Sequence, residues 1–248
     1  MGTSLLTTSL PPGVKMASEY ADADGINMVI FGFGGAGKTT FICHAQDHPK
    51  GRNVILLDVE KGIRSVSDRD DVAVWRPDKD SPRWSDFEEI VRWLVSANHE
   101  YKTIGVDSLT SLYQLAKESV TPGQPSQPEY GKINAKILKA VRDLKELSTS
   151  KGIHVLFTAH AEEVRDKDEV FIRMALTPQV IKDLNQVLDG VGYLEVDPSG
   201  KTNRRKLTLQ TNRKVIAKYR QPETGPQLAA EIPDATLGLL LDQLGTKS

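Results

Sequence analysis

Met28 to Thr40 reads MVIFGFGGAGKTT: an apolar run of strand length stops at a cluster of glycines and passes at once into Lys-Thr-Thr. As spacing, Gly32 to Thr39 is G-x-x-x-x-G-K-T, set between a predicted strand and a predicted helix, which is the context a phosphate-binding loop requires. Glycines at 32, 34, 35 and 37 let the backbone wrap closely, so that N–H groups point at phosphate oxygens and the helix N-terminus adds partial positive charge. Lys38 then brings a full charge to the β and γ phosphates and the Thr39 hydroxyl can ligate Mg²⁺, with Ala36 and Thr40 completing the cradle. The ligands expected from this stretch are ATP and Mg²⁺. A dinucleotide fold would instead place an acidic residue after the second strand and would not follow its last glycine with Lys-Thr.

Working outward, the metal needs a carboxylate at the end of another central strand. KTIGVDS ends in Asp107, which suits a residue holding magnesium through water. Apolar runs of strand length recur as INMVIFG, NVILLDVE, VAVWRP, TIGVDS and HVLFTAH, separated by stretches of helical spacing. That alternation predicts an α/β fold with a mainly parallel central sheet covered by helices, which binds ligands at the carboxyl ends of its strands. The clearest helix spans about Tyr130 to Thr149, where Ile133, Ile137, Val141, Leu144 and Leu147 recur at steps of three and four.

The flanks read differently. Residues 1 to 24 are rich in Thr, Ser, Pro and small residues without a period and predict a flexible arm, leaving 25–248 as one core domain. TPGQPSQPEYG, Thr121 to Gly131, holds three prolines and predicts a loop. After Asp189, the pieces GYLEVD, KLTLQT and VIAKYR predict a C-terminal antiparallel β extension, with residues 201–220 as a basic hairpin; a short helix over about Ala235 to Leu244 closes the chain.

The totals exclude several classes. Across 248 residues, 32 Lys+Arg stand against 33 Asp+Glu, so any charge argument is local. The single cysteine, Cys43, leaves no disulfide framework or Cys-rich zinc site and fits a reducing compartment; its simplest role is a small buried hydrophobe. No apolar run approaches the roughly 18 residues needed to cross a bilayer, and the first residues lack the pattern of a signal peptide, so a soluble protein with no membrane partner is expected.

Smaller features narrow the reading. VILLDVEKG places Glu60 just beyond a strand expected beside the phosphate loop, where a carboxylate can orient the attacking water. LFTAH places His160 where a polar side chain can sense the γ-phosphate, and VIAKYR puts Lys218 and Arg220 on a late strand. Between Lys201 and Arg220 stand eight basic residues and no acidic one. A solvated basic hairpin is the competing reading of Lys201 to Lys206, and a weaker one for Lys218 and Arg220.

From Ile26 to Arg220 these residues resemble the RecA-like ATPases. LLDVEKG looks like the family's D-x-E segment with its catalytic glutamate, IGVDSLTSL like its Walker B, and IAKYR like the K-x-R segment that reaches into the nucleotide site of the next subunit. Within that family the chain is most similar to the Sak-type phage annealing and recombination ATPases, which carry a histidine in the position of His160; many relatives carry glutamine there. The resemblance implies a homo-oligomer, ring or filament, with nucleotide at subunit interfaces. It also implies ATP hydrolysis stimulated by single-stranded DNA, a possible single-strand binding protein as partner, and work in the cytoplasm of a bacterial host.

The family's two DNA-contacting loops correspond to about Ser119 to Gly131 and Ala161 to Ala175. Tyr130 is a stacking platform in the first, while EEVRDKDEVFIRMA in the second alternates charges like an exposed β-hairpin. Two classes therefore stay open: a DNA-directed recombination ATPase, and a nucleotide-switched assembly, helicase-like or packaging ATPase that does not grip single strands.

Overall fold

Every residue of the first strand, β1 (Asn27–Gly32), is buried, yet its side chains divide between two cores: Met28 and Ile30 pack into one apolar cluster, Val29 and Phe31 into another. A strand buried on both faces is the middle of a covered parallel sheet. The computed structural model describes residues 25–77, 82–166, 169–196, 204–221 and 227–244. The expected arm at 1–24 and the basic residue Lys201 lie outside them.

After β1 come α1 (Lys38–Cys43), β2 (Val54–Asp58), β3 (Ala73–Trp75), α2 (Trp84–Ser96), β4 (Thr103–Asp107), α3 (Leu109–Val120) and α4 (Gln127–Lys151). The chain continues through β5 (His154–Asp166), β6 (Glu169–Met174), α5 (Pro178–Val187), β7 (Gly190–Val196), β8 (Arg205–Thr208), β9 (Lys218–Tyr219), β10 (Glu231–Pro233) and α6 (Leu237–Gln243). The sheet runs β10-β8-β7-β1-β5-β4-β2-β3, with β6 pairing β5 and β9 pairing β7. From β7 to β3 every neighbouring pair is parallel, and the antiparallel strands are appended at one edge and in the β5–β6 hairpin. This is the expected α/β architecture, a P-loop NTPase fold.

Helices cover both faces. Leu109 and Leu112 of α3, Phe87 and Leu94 of α2, Val141 and Leu144 of α4, and Val180 and Leu184 of α5 share a cluster with Val29 and Phe31. Phe41 and Ile42 of α1 pack on the other face with Met28, Ile30, Leu207 and Leu237, Leu240 and Leu241 of α6. Each of these side chains is fully or almost fully buried, so truncating one to alanine costs about 2–5 kcal/mol.

Three local expectations are corrected. First, α4 starts at Gln127, inside the stretch expected as a loop: Pro128 sits in the first turn, where a missing N–H costs no helical bond, and the Ser126 N–H donates to Glu129 Oε2 at 2.7 Å. The predicted apolar stripe from Ile133 to Leu147 is buried throughout, and Gly152, at φ 64°, ends the helix. Second, β7 is a parallel core strand beside β1, because α5 precedes it as a crossover. Third, the described part of the expected 201–220 hairpin, 204–220, is not one: β8 pairs with the later half of β7 and β9 with its first two residues, both antiparallel, and not with each other.

Candidate nucleotide site

The loop after β1 takes its shape from its glycines. A Cβ on Gly32 would stand 2.3 Å from the Leu194 carbonyl oxygen of β7, so only glycine lets the two strands close. Gly37 caps α1 at φ 85°, the left-handed conformation that favours glycine. Cβ atoms at Gly34 and Gly35 would meet nothing within 4 Å, and both residues are exposed, so the crest of the loop stands clear of the rest of the fold. Ala36 is buried beneath the turn. Thr40 follows Lys38 and Thr39 in the first turn of α1.

Lys38 is 7% exposed, and its Nζ donates to the carbonyls of Gly32 at 2.9 Å and Phe33 at 3.1 Å. An ammonium carries three donors, so one remains for a phosphate oxygen. Burial lowers its pKa, and the nearby carboxylates of Glu60 and Asp107 oppose that shift. The group is a cation prepared to be drawn toward negative charge.

Asp107 ends β4, 2% exposed, with a hydroxyl on each oxygen: Thr39 donates to Oδ2 at 2.5 Å and Thr158 of β5 donates to Oδ1. Burial raises its pKa, the two hydroxyls restrain the rise, and the negative charges of Glu60 and Asp58 add to it. A hard cation at this point would relieve that cost, and the Thr39 hydroxyl with the Asp107 carboxylate is the oxygen donor set that Mg²⁺ takes. No group of three or more His, Cys, Asp or Glu that could hold a metal occurs among the described residues.

Glu60 and His160 are brought together. Nε2 of His160 lies 2.9 Å from Oε1 of Glu60, each side chain about one-third exposed. That hydrogen bond is the main reason the Glu60 carboxyl is held below its ordinary pKa, with a smaller contribution from Ser108. In the sheet His160 is level with Gly32, so it stands at the mouth of the loop, and its backbone N–H donates to Thr110 Oγ1 at 3.0 Å.

The expected strand adjacency is wrong: β5 and β4 separate β2 from β1. Glu60 reaches the site because the chain turns over the end of β4, the N–H groups of Val59 and Glu60 both donating to the Asp107 carbonyl, at 2.8 and 3.0 Å.

Asp58, fully buried, fixes that turn. It accepts the Gly62 N–H at 2.9 Å and pairs with Arg76 Nε at 2.7 Å. Neither Asp58 nor Thr158 is among the site residues expected from sequence. The one available signal was a polar residue inside an apolar strand.

Lys218 and Arg220 are not brought to this loop. Arg220 donates its backbone N–H to the Asp189 carbonyl, and Asp189 in turn donates to Asn27 at the start of β1. Five strand residues, roughly 16 Å, separate that level from Gly32. Lys218 Nζ donates to the carbonyls of Asn185 and of Leu188, and Arg220 to Gln186 O at 2.6 Å and Asp189 Oδ1 at 3.1 Å, so both cations cap the carboxyl end of α5. Burial lowers the Lys218 pKa.

The rest of the basic run is dispersed as well. Lys206 pairs with Glu195 and Glu231, and Arg204 lies 3.6 Å from Asp234. In the β5–β6 hairpin, Arg173 pairs with Glu162 at 2.7 Å. Of the first expected DNA loop, Tyr130 lies on α4 and accepts a hydrogen bond from Gln124 at 3.1 Å.

A family model described as AAA domain matches residues 24–221. No curated protein matches the chain.

Proposed function

The chain belongs to the AAA domain family, whose P-loop fold binds and hydrolyses nucleotide, and we propose that it is a Mg²⁺-dependent ATPase of the RecA-like, Sak-type group that works as a homo-oligomer on single-stranded DNA in phage recombination. The observation that carries the ATPase chemistry is the convergence of Lys38, Thr39, Asp107, Glu60 and His160 at the carboxyl ends of β1, β4, β2 and β5. The loop's N–H groups and Lys38 bind the β and γ phosphates. Glu60 orients a water for in-line attack and takes its proton, and His160 holds the carboxylate in place. Thr39 and Asp107 would hold Mg²⁺, which when bound offsets phosphate charge.

A histidine bonded to the hydrolytic glutamate also gives a route for coupling. A ligand that pulls on the β5–β6 hairpin moves the strand carrying His160, and with it Glu60. That is the physical basis proposed for DNA stimulation. In an oligomer, Lys218 and Arg220, remote from the loop of their own chain, act on the neighbour's nucleotide. The place of action is the cytoplasm of the bacterial host, and no helix among the described residues is long and apolar enough to cross a membrane.

A second reading, a nucleotide-switched assembly or packaging ATPase, is favoured by the ion pairing of Lys206 and Arg173, which removes charge a DNA groove needs. ATP turnover measured with and without an oligonucleotide, with binding followed through stepped salt, separates the two. DNA stimulation and binding that weakens with salt support the first. No stimulation, and no binding at low salt, refutes it in favour of the second.

A further inference from the structure

Arg205 is a basic residue that the roles above leave unused. Its strand β8 is antiparallel to β7, with Tyr193 opposite Thr208 and Val196 opposite Arg205, while Tyr193 is level with Phe31 of β1. Arg205 therefore lies beyond the end of β1, at the height of the phosphate loop. Side chains alternate along a strand, and Leu207, two residues on, packs with Phe41 and Ile42 of α1, so Arg205 emerges on the face of the sheet that carries α1.

The contact is direct. A Cβ built on Gly37 would stand 2.1 Å from Arg205 Nε, 2.8 Å from Cζ and 2.9 Å from Nη2, so the guanidinium lies against the backbone of the loop's last glycine. Lys206 is drawn away to Glu195 and Glu231. Among the described residues no carboxylate makes an ion pair with Arg205, and its positive charge is one cause of the lowered pKa of His44 just after α1.

The sheet order says which end of a nucleotide this side chain meets. Asp107, Glu60 and His160 come from β4, β2 and β5, all on one side of β1, whereas β8 lies on the other. The bond that breaks must face Glu60, so the opposite end of the triphosphate points toward β8. We propose that Arg205 is a nucleotide-binding residue that holds the α-phosphate. The inference rests on the phosphate-loop reading and deepens it. A contact to the α-phosphate is the same in ATP and ADP, so it supplies uniform binding and does not change the chemical step.

The test is calorimetric titration of the full chain and its Arg205→Gln and Arg205→Lys variants with ADP and with a non-hydrolysable ATP analogue, alongside steady-state turnover. Loss of one charge-assisted contact is expected to weaken both nucleotides by the same factor, about tenfold for Arg205→Gln and less for Arg205→Lys, with KM raised and kcat changed less than about twofold. The melting temperature without nucleotide should match wild type, and Arg205→Lys keeps the comparison informative if Arg205→Gln folds poorly. A loss confined to the ATP analogue would place Arg205 at the γ end and overturn the assignment. Tighter binding by either variant would show that the guanidinium obstructs the loop, and would overturn it too. A wild-type chain that binds neither nucleotide, or a Lys38→Ala chain that binds both normally, would instead remove the phosphate-loop reading itself.

Discussion

Glu60→Gln tests the hydrolytic assignment with the least structural disturbance. Glutamine keeps the length of the side chain and an oxygen that can accept from His160, now 2.9 Å from the carboxylate, and loses only charge and basicity. A positioned general base contributes about 10²–10⁴ in rate, which is about 2.7–5.4 kcal/mol of barrier. Phosphate release at saturating ATP and Mg²⁺ should therefore fall by two to four orders of magnitude. ADP affinity should stay within about twofold, because the loop and Lys38 are untouched.

The pH dependence follows from the sign of the Glu60 shift. Its pKa is lowered, first by the His160 hydrogen bond, so the carboxylate is ionised above that depressed value and loses its role only as pH falls through it. The deficit of Glu60→Gln should accordingly be equal at neutral and mildly acidic pH. His160→Ala should cost less than Glu60→Gln, and the double variant should cost little more than Glu60→Gln alone, because the histidine acts through the glutamate. Turnover of Glu60→Gln within about threefold of wild type would show that the water is oriented elsewhere.

Lys38→Ala should abolish nucleotide binding in a titration, the loop losing its one buried cation. Arg220→Ala mixed with Lys38→Ala should recover turnover if Arg220 serves the neighbouring site; no recovery from a well-assembled mixture, with Arg220→Ala merely less stable, would leave it as a cap on α5. Asp58→Ala strands Arg76 and frees Gly62, so it should lower both denaturant stability and kcat, whereas Asp58→Asn should keep part of each. His154 accepts the Ile26 N–H at Nδ1 at 3.0 Å, and burial lowers its pKa from 6.5 to about 4. The unfolded chain takes up that proton first as pH falls, so about 3 kcal/mol of stability should be lost progressively across that window, and a denaturation midpoint flat over it would refute the assignment.

The phosphate loop was legible because its chemistry is local: a buried strand, the glycines and Lys-Thr are contiguous, and the β1 backbone needs no other part of the chain to declare its role. Asp107 was legible for the same reason, as an acid closing an apolar run. Strand order was not local. The distance from β2 to β1 depends on how crossovers distribute the later strands, so Glu60 was expected from an adjacency that does not exist and is delivered by backbone bonds to Asp107. The parallel direction of β7 was hidden because it depends on where the chain returns to the sheet: α5 sets Val180, Ile181, Leu184 and Val187 on one face, but that local pattern does not say that the helix crosses over to place β7 beside β1. The prolines at 122, 125 and 128 looked alike in sequence, but only the last falls in a helix's first turn, where it is tolerated.

The basic run from Lys201 to Arg220 shows most plainly what a count of charges conceals. Seven of its eight residues fall among the described residues, and they do separate things: Arg204 and Lys206 stand beside acids, Arg205 lies over Gly37, Lys218 and Arg220 cap the end of α5, and Arg213 and Lys214 are exposed in the β8–β9 connection. Alternation along β8 sends neighbouring cations to opposite faces, so adjacency in sequence becomes separation in space. Each phosphate neutralised on a single strand contributes about −0.7 to the slope of log K against log salt, so Arg213 and Lys214 alone would give one chain only a shallow dependence. Were a single strand to bind with a steep dependence, the cations would have to come from more than this pair, and the proposed assembly would supply them by lining several copies along one strand, through the same neighbour contacts that would carry Arg220 to a second nucleotide.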